Sequence, residues 1–180
     1  AQPRTQKRIE QARRLLETMA IRTDDRELAA LSDYLLARIG HSYAGTGSLE
    51  AAANGYRTVS QRHPDTVFGA YATARLILLD LYQPATDWPQ RLAAAEERLQ
   101  NLNQPEAKRN AHLAIGQACL FFRTDDAVAL RHLLAAHALG LQGTIVRANT
   151  TLAIAALAER LDEKATALHF WRQFLAENSR

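Results

Sequence analysis

Apolar residues recur through most of the chain at spacings of three and four residues, which is the pattern of an amphipathic helix. The clearest example is the segment 106–122, where one stripe contains Ala111, Ala114, Ile115, Ala118, Cys119 and Phe122. Strand-like alternation of apolar and polar residues extends over no useful length. The pattern therefore predicts nine helices, at about 4–20, 25–43, 48–62, 66–82, 87–101, 106–122, 126–139, 143–160 and 163–177.

All five prolines lie near the predicted ends of helices, where the missing amide hydrogen does least harm. They are Pro3, Pro64, Pro84, Pro89 and Pro105. The predicted loops are short, as at 45–47 and 124–126, so consecutive helices should pack as antiparallel neighbours. Because no long linker interrupts the helices, we expect one all-α domain over residues 1–180.

The segment 33–66 carries a spaced set of small, apolar and aromatic residues: Leu36, Ile39, Gly40, Tyr43, Gly47, Ala52, Tyr56, Val59 and Pro64. This set resembles the tetratricopeptide repeat (TPR), a 34-residue helix-turn-helix unit. Leu36 stands where the repeat usually has Trp, and Ile39 stands where it has Leu. A glycine within a helix costs about 1 kcal/mol relative to alanine, so Gly40 indicates a close approach of the two helices.

Three further segments, 67–103, 106–140 and 143–178, carry weaker versions of this pattern. The last keeps the spacing of the repeat, the third is one residue out of register, and 67–103 is the poorest match. The resemblance implies a right-handed α-α superhelix of about four helix hairpins, preceded by a basic N-terminal helix over 1–22. An ordinary helical bundle is the alternative.

Composition agrees with a folded helical domain, since 47% of the residues are hydrophobic, 23% are charged, and only 8 are Gly. The net charge of +3 is uneven, because residues 1–14 contain five basic side chains and one acidic side chain. We interpret this helix as a solvated capping helix; the alternatives are a patch for an acidic partner, nucleic acid or anionic lipid. Since no aromatic residues interleave with the charges, we expect no specific nucleic-acid binding.

The sequence offers no catalytic or metal-binding pattern, so we expect no enzyme activity, metal or cofactor. His132 and His137 lie five residues apart and point in different directions on one helix. The other histidines have no partner at a metal-binding spacing: His41, His63, His112 and His169. The single cysteine, Cys119, lies on the apolar stripe and is interpreted as a core thiol.

The longest uncharged stretch, 132–146, is too short and too polar to span a bilayer, so we expect no transmembrane segment. The chain begins at Ala1, and we expect a processed form or an excised fragment without a signal peptide. Arginine is much commoner than lysine, which favours a bacterial source. We therefore expect a soluble protein of the bacterial periplasm or cytoplasm.

In the TPR family the first helix of each hairpin lines a concave face that binds peptides or helices. Counting from Gly40, the resemblance places these residues in that groove: Tyr34, Ala37, His41, Thr73, Leu76, Asp80, Asn110, Leu113, Gln117, Asn149, Leu152 and Glu159. It implies a non-catalytic adaptor or scaffold that binds a segment of another protein. The alternative is a regulatory or sensor segment of a larger bacterial transcription factor or signalling enzyme. Because the lining contains acidic residues but no Lys or Arg, we expect a neutral or mildly basic segment anchored by apolar side chains.

Overall fold

The computed structural model describes residues 3–43, 49–83 and 87–178. These residues form nine α-helices and contain no strand, so the predicted all-α class is confirmed. Every predicted helix is present, with ends within about two residues of the expected ones. The helices are α1 (Pro3–Arg22), α2 (Arg26–Tyr43), α3 (Leu49–Arg62), α4 (Val67–Leu81), α5 (Trp88–Gln100), α6 (Pro105–Phe122), α7 (Asp126–Ala138), α8 (Thr144–Arg160) and α9 (Lys164–Asn178).

The chain forms two compact units, unit 1 over Ala1–Asp80 and unit 2 over Leu81–Arg180. The single superhelix over residues 1–180 stays a prediction. Across the three described stretches, no helix is both long and apolar enough to cross a bilayer.

In unit 1, α1 packs on α2, and α2 packs against α3. Their buried core combines small and aromatic side chains: Tyr34, Ala37, Ala52, Ala53, Tyr56, Val59, Ala72, Leu76 and Leu79. A polar contact ties α2 to the end of α3, since Asp33 Oδ2 lies 2.9 Å from His63 Nε2 and accepts from Arg62 at 3.0 Å. Asp33 in the first half of α2 thus contacts the C-terminal end of α3, as expected for an antiparallel hairpin.

The predicted role of Gly40 is wrong. A Cβ atom added at Gly40 would meet no atom within 4 Å, so this glycine does not mark a helix contact. The close approach of α2 and α3 lies elsewhere, because a Cβ on Gly55 would be 3.2 Å from Ala37 Cβ. The helices do come close, but the glycine that permits it is on the second helix.

Gly69 is the tightest glycine of unit 1, and it lies in the first turn of α4. An added Cβ would be 1.9 Å from the carbonyl oxygen of His63. That oxygen accepts hydrogen bonds from the Thr66 backbone at 3.2 Å and from the Thr66 hydroxyl at 2.8 Å. The Thr66 hydroxyl in turn accepts from Gly69 N at 3.0 Å, which caps the start of α4. The turn between α3 and α4 therefore leaves no space for a side chain at position 69.

In unit 2, α6 packs against α7 and α8 packs against α9, while α7 also packs against α8. Gly116 lets α6 and α7 approach, because an added Cβ would be 2.7 Å from the Leu133 side chain. At the start of α7, Asp125 accepts a hydrogen bond from Val128 N at 2.9 Å as the N-cap. The glycine of the third predicted repeat thus makes the close helix contact that was expected of Gly40.

Ion pairs join α8 to its neighbours α7 and α9 in unit 2. Arg160 near the end of α8 donates to both carboxylate oxygens of Asp126 on α7, at 2.7 and 2.8 Å. Arg147 on α8 lies 3.3 Å from Glu177 on α9. These contacts place the two ends of α8 beside α7 and α9.

Candidate functional site

The groove positions predicted in unit 1 lie largely in its core. Tyr34 is 7% exposed, and its ring packs against Tyr56, Phe68 and Tyr71 with centroids 5.8 to 6.2 Å apart. Leu76 is 4% exposed. The side chains of these two residues therefore stabilise unit 1 and offer little surface to a partner.

Ala37 is likewise buried in the core, whereas the other three predicted positions of unit 1 are half-buried and engaged within the chain. The Nδ1 atom of His41 is 3.3 Å from the hydroxyl oxygen of Tyr56. The hydroxyl of Thr73 donates to the carbonyl of Gly69 at 3.1 Å. Asp80 is also half-buried and interacts within the chain. The hydroxyl of Tyr56, buried and beside Tyr34, has a raised pKa, mainly because burial disfavours the phenolate.

The predicted positions on α6 belong to a narrow line along one face of that helix. Between Glu106 and Leu120, the exposed residues of this helix are Glu106, Asn110 and Gln117, separated by four and seven residues. This spacing places them on one face of a helix. Leu113 is half-buried on the same side, and Phe121 continues the line at the end of the helix. We call Glu106, Asn110, Leu113, Gln117 and Phe121 the α6 ridge.

The α6 ridge is narrow because both of its flanks are buried. On one side lie Ala107, Ala111, Ala114 and Ala118. On the other side, Arg109 is buried and donates to the carbonyl of Gly140 at 3.1 Å, and Gly116 packs on Leu133. The amides of Asn110 and Gln117 have no hydrogen-bond partner among the residues that the structure describes. The ridge therefore presents unused hydrogen-bonding groups on a helix fixed from both sides.

Helix α8 also carries a line of exposed residues that combines an unpaired amide with apolar side chains. Ile145, Asn149 and Leu152 are exposed and lie four and three residues apart, so they share one face. Leu152 is 38% exposed. Within the described ranges Asn149 likewise has no partner for its amide.

An aromatic cluster around Arg91, at the C-terminal end of α6, was not expected from the sequence. The ring of Phe122 lies 5.4 Å from those of Tyr82 and Trp88, and Phe121 lies 5.5 Å from Tyr82. The Arg91 guanidinium lies over Trp88 at 5.4 Å and over Phe122 at 5.3 Å. Phe121 is 69% exposed, so the cluster presents an aromatic ring to solvent beside a cation. The adjacent Phe121 and Phe122 were a visible signal, but Phe122 was assigned to the buried stripe.

An open concavity of about 790 Å³ lies at the turn between α6 and α7, beside the end of α8. Its acidic side chains are engaged, since Asp125 caps α7 and Asp126 pairs with Arg160. Arg123, which ends α6 with a φ of 53°, also lines the concavity and has no charged partner in the described stretches. The charged side chains that line the concavity are therefore balanced, with two arginines and two aspartates.

A buried chain of hydrogen bonds was also missed, because its members lie on three different helices. His112 Nδ1 on α6 is 3.0 Å from His132 Nδ1 on α7, and His132 Nε2 is 3.1 Å from Glu96 Oε1 on α5. The carboxylate can only accept, so His132 donates from Nε2 and accepts from His112 through Nδ1. Arg131 also pairs with Glu96. The chain thus joins α5, α6 and α7.

Both imidazoles of this chain favour the neutral form. The pKa of His112 is lowered from 6.5 to about 4, mainly by burial and also by the neighbouring His132 and the cations Lys108 and Arg131. Burial also lowers the pKa of His132, although its hydrogen bond to Glu96 opposes the shift. Two neutral rings satisfy the hydrogen-bond chain, whereas protonation of both rings would place two Nδ1–H donors face to face.

The described residues contain no group of three or more His, Cys, Asp and Glu side chains arranged to hold a metal ion. Cys119 is buried on α6, and burial raises the pKa of its thiol, as expected of a core cysteine. On α1, Lys7, Arg8 and Arg14 are exposed, and Arg14 pairs with Glu10 at 3.3 Å. These three cations thus face water while the helix packs on α2.

The chain was compared with protein-family models, with curated proteins and with solved structures, and none of the three comparisons found a match.

Proposed function

We propose that this chain is a non-catalytic interaction module built of TPR-like helix hairpins, which binds a segment of a partner protein along the first helices of its hairpins. The observation that carries this proposal is the α6 ridge. It combines unpaired amides with apolar side chains on a helix that is held on both flanks. A fixed surface of this kind suits binding, because little ordering of the receptor opposes association.

The packing of the helix pairs supports the proposal. Antiparallel pairs occur at the positions of three of the predicted repeats, α2 with α3, α6 with α7, and α8 with α9. Within unit 2, the second helix of one pair also contacts both helices of the next, through Asp126 and Arg160 and through His137 and Phe170. Contact of each hairpin with its neighbour is the organising feature of repeat proteins.

The test is selection of binders from a random twelve-residue peptide library displayed on phage, followed by calorimetric titration. The variant Asn110→Ala/Gln117→Ala removes both ridge amides, and Gln100→Ala removes an exposed amide from α5 as the matched control. We expect binders whose affinity falls at least about tenfold in the ridge variant and is unchanged in the control. Recovery of no binder, or of binders indifferent to the ridge variant, would overturn the proposal.

A further inference from the structure

We infer that the exposed face of α1 binds the surface of an anionic phospholipid bilayer, with the helix lying parallel to the membrane plane. In this arrangement the cations of the helix contact lipid phosphates, and Leu15, Met19 and Ile21 enter the interfacial layer between them. The helix belongs to unit 1, whereas the α6 ridge belongs to unit 2, so this inference does not rest on the proposed function.

Helix α1 buries one side and leaves large apolar side chains on the other. It packs on α2, and its half-buried residues share one side of the helix: Ile9, Ala12, Arg13, Leu16 and Ala20. Three apolar side chains lie outside that packed side, since Leu15 is 59%, Met19 39% and Ile21 84% exposed. The contact with α2 therefore does not account for all the apolar residues of this helix.

The exposed apolar residues alternate with cations along two adjacent stripes of α1. Residues seven apart on a helix lie almost in line, as do residues three or four apart. One stripe contains Arg8, Leu15, Met19 and Arg22. The adjacent stripe contains Lys7, Arg14 and Ile21. All seven side chains are exposed, and apolar residues set among cations are typical of a helix that lies in a membrane interface.

The charge of these two stripes is positive after the acidic residues of the helix are counted. Residues 5–22 contain five basic and two acidic side chains. Glu10 and Glu17 border the stripes on one side, and Glu10 pairs with Arg14 at 3.3 Å. The other cations of the stripes have no acidic partner among the residues that the structure describes: Lys7, Arg8 and Arg22.

The acidic residues that follow the helix leave its first half positive. Asp25 caps α2, where it accepts hydrogen bonds from Glu27 N at 2.9 Å and Leu28 N at 3.2 Å. Asp24 is exposed close to Arg22 in sequence. Lys7 and Arg8 lie three to four turns away from it, so the anionic partner is bound most strongly by the first half of α1.

The mixture of cations and apolar side chains favours a bilayer over other anionic partners. Free phosphate pairs with the cations but leaves Leu15 and Ile21 in water. Nucleic acid favours aromatic residues among the cations, and α1 contains none. A second copy of the chain, docked on the same face, brings like charges together. A bilayer supplies phosphates and an apolar layer to the same face of one helix.

The probes are vesicles of phosphatidylcholine alone and vesicles that also contain about 30% phosphatidylglycerol. Binding of the chain is measured by co-sedimentation at about 0.1 M and about 1 M NaCl, where the Debye length falls from about 10 Å to about 3 Å. We expect binding only to the anionic vesicles, and binding at least about tenfold weaker at the higher salt. Inorganic phosphate added at constant ionic strength should not release the protein.

The first pair of variants tests the cations. Lys7→Gln/Arg8→Gln should weaken binding about 25-fold, because each cation near an anionic surface contributes about fivefold. Arg57→Gln/Arg172→Gln makes the same change in net charge at exposed arginines of α3 and α9 and should leave binding unchanged. Equal losses in the two variants would show a nonspecific effect of net charge and would overturn the inference.

The second pair tests the apolar side chains. Leu15→Ser/Met19→Ser leaves every charge in place and should weaken binding at least about tenfold, since two apolar side chains no longer enter the interface. Leu168→Ser, at an exposed leucine of α9, is the control and should have no effect. Circular dichroism of each variant verifies that the helices are intact, as expected for substitutions at exposed positions.

Several results would overturn the inference and leave the proposed function standing. They are a chain that does not sediment with anionic vesicles, one that binds neutral vesicles equally well, and binding that survives Leu15→Ser/Met19→Ser or is released by phosphate. If a short DNA duplex bound and the vesicles did not, the face would be a nucleic-acid surface instead. Peptide binding at the α6 ridge should be the same in all the α1 variants.

Discussion

Two glycines of unit 1 provide the sharpest test of the packing, because the same substitution should have opposite effects at each. Both lie in helices, Gly40 in α2 and Gly69 in α4. An added methyl group at Gly40 would meet no atom within 4 Å, whereas at Gly69 it would lie 1.9 Å from the His63 carbonyl oxygen. The gain in helix propensity from Gly to Ala is therefore the same in both variants, and their stabilities should differ because the surrounding atoms differ.

The expected magnitudes follow from these contacts. Replacing a helical glycine by alanine stabilises a helix by about 0.5–1 kcal/mol, so Gly40→Ala should raise the free energy of unfolding by that amount. At Gly69 the clash is with backbone, so the His63 carbonyl must move and its hydrogen bonds to Thr66 weaken. Overpacking and lost hydrogen bonds together cost about 2–4 kcal/mol, which outweighs the gain in propensity. The two variants should thus differ by roughly 3 kcal/mol.

The assay is urea unfolding followed by circular dichroism at 222 nm. Its companion signal is tryptophan fluorescence, which reports unit 2 alone because both tryptophans, Trp88 and Trp171, lie there. With a typical slope for a small protein, the urea midpoints of the two variants should differ by about 1 M or more in the circular dichroism signal. Equal midpoints, or a destabilised Gly40→Ala, would refute the packing described around these helices.

Three further outcomes are expected. The pKa values of His112 and His132 are lowered in the folded protein, so the neutral rings contribute their full stability above pH 6.5 and lose it as the pH falls towards about 4. Urea midpoints from tryptophan fluorescence should decrease over that pH window, and a constant midpoint would contradict the buried chain of hydrogen bonds through these two histidines. Asp125→Ala should destabilise unit 2 by about 1 kcal/mol, since Val128 N loses its cap, and Asp125→Asn should restore most of the loss in the same titration. The buried Cys119 should react with a thiol reagent only as fast as the protein opens, and a native-state rate equal to that of a free thiol would show that the α6 core is not closed.

The helices could be predicted closely because their signals are local. Pro105 begins α6 where the apolar period begins, and the N-cap aspartate Asp125 precedes α7. Such signals depend on a few neighbouring residues, so a single sequence contains them. The same is true of the hairpins, because short loops bring consecutive helices together.

The contacts between helices could not be read in this way. Gly40 fits the repeat pattern, yet whether a glycine faces another helix depends on how that helix is rotated, which the pattern does not specify. His112, His132 and Glu96 meet only because α5, α6 and α7 pack together, and their separations in sequence carry no motif. The sequence shows that Phe121 and Phe122 are adjacent, but it does not show whether their rings are exposed, because that depends on where the buried stripe of α6 ends.

The narrowness of the α6 ridge has a consequence for how this protein can vary over evolution. Most positions of α6 are fixed by burial on its two flanks, whereas Asn110 and Gln117 are exposed and the largely exposed ring of Phe121 packs only at the edge of the aromatic cluster. Ligand preference and folding are therefore encoded by separate residues of the same helix. A change of partner requires only a few substitutions along one line, and a library randomised at those three positions should remain folded while its binding diverges.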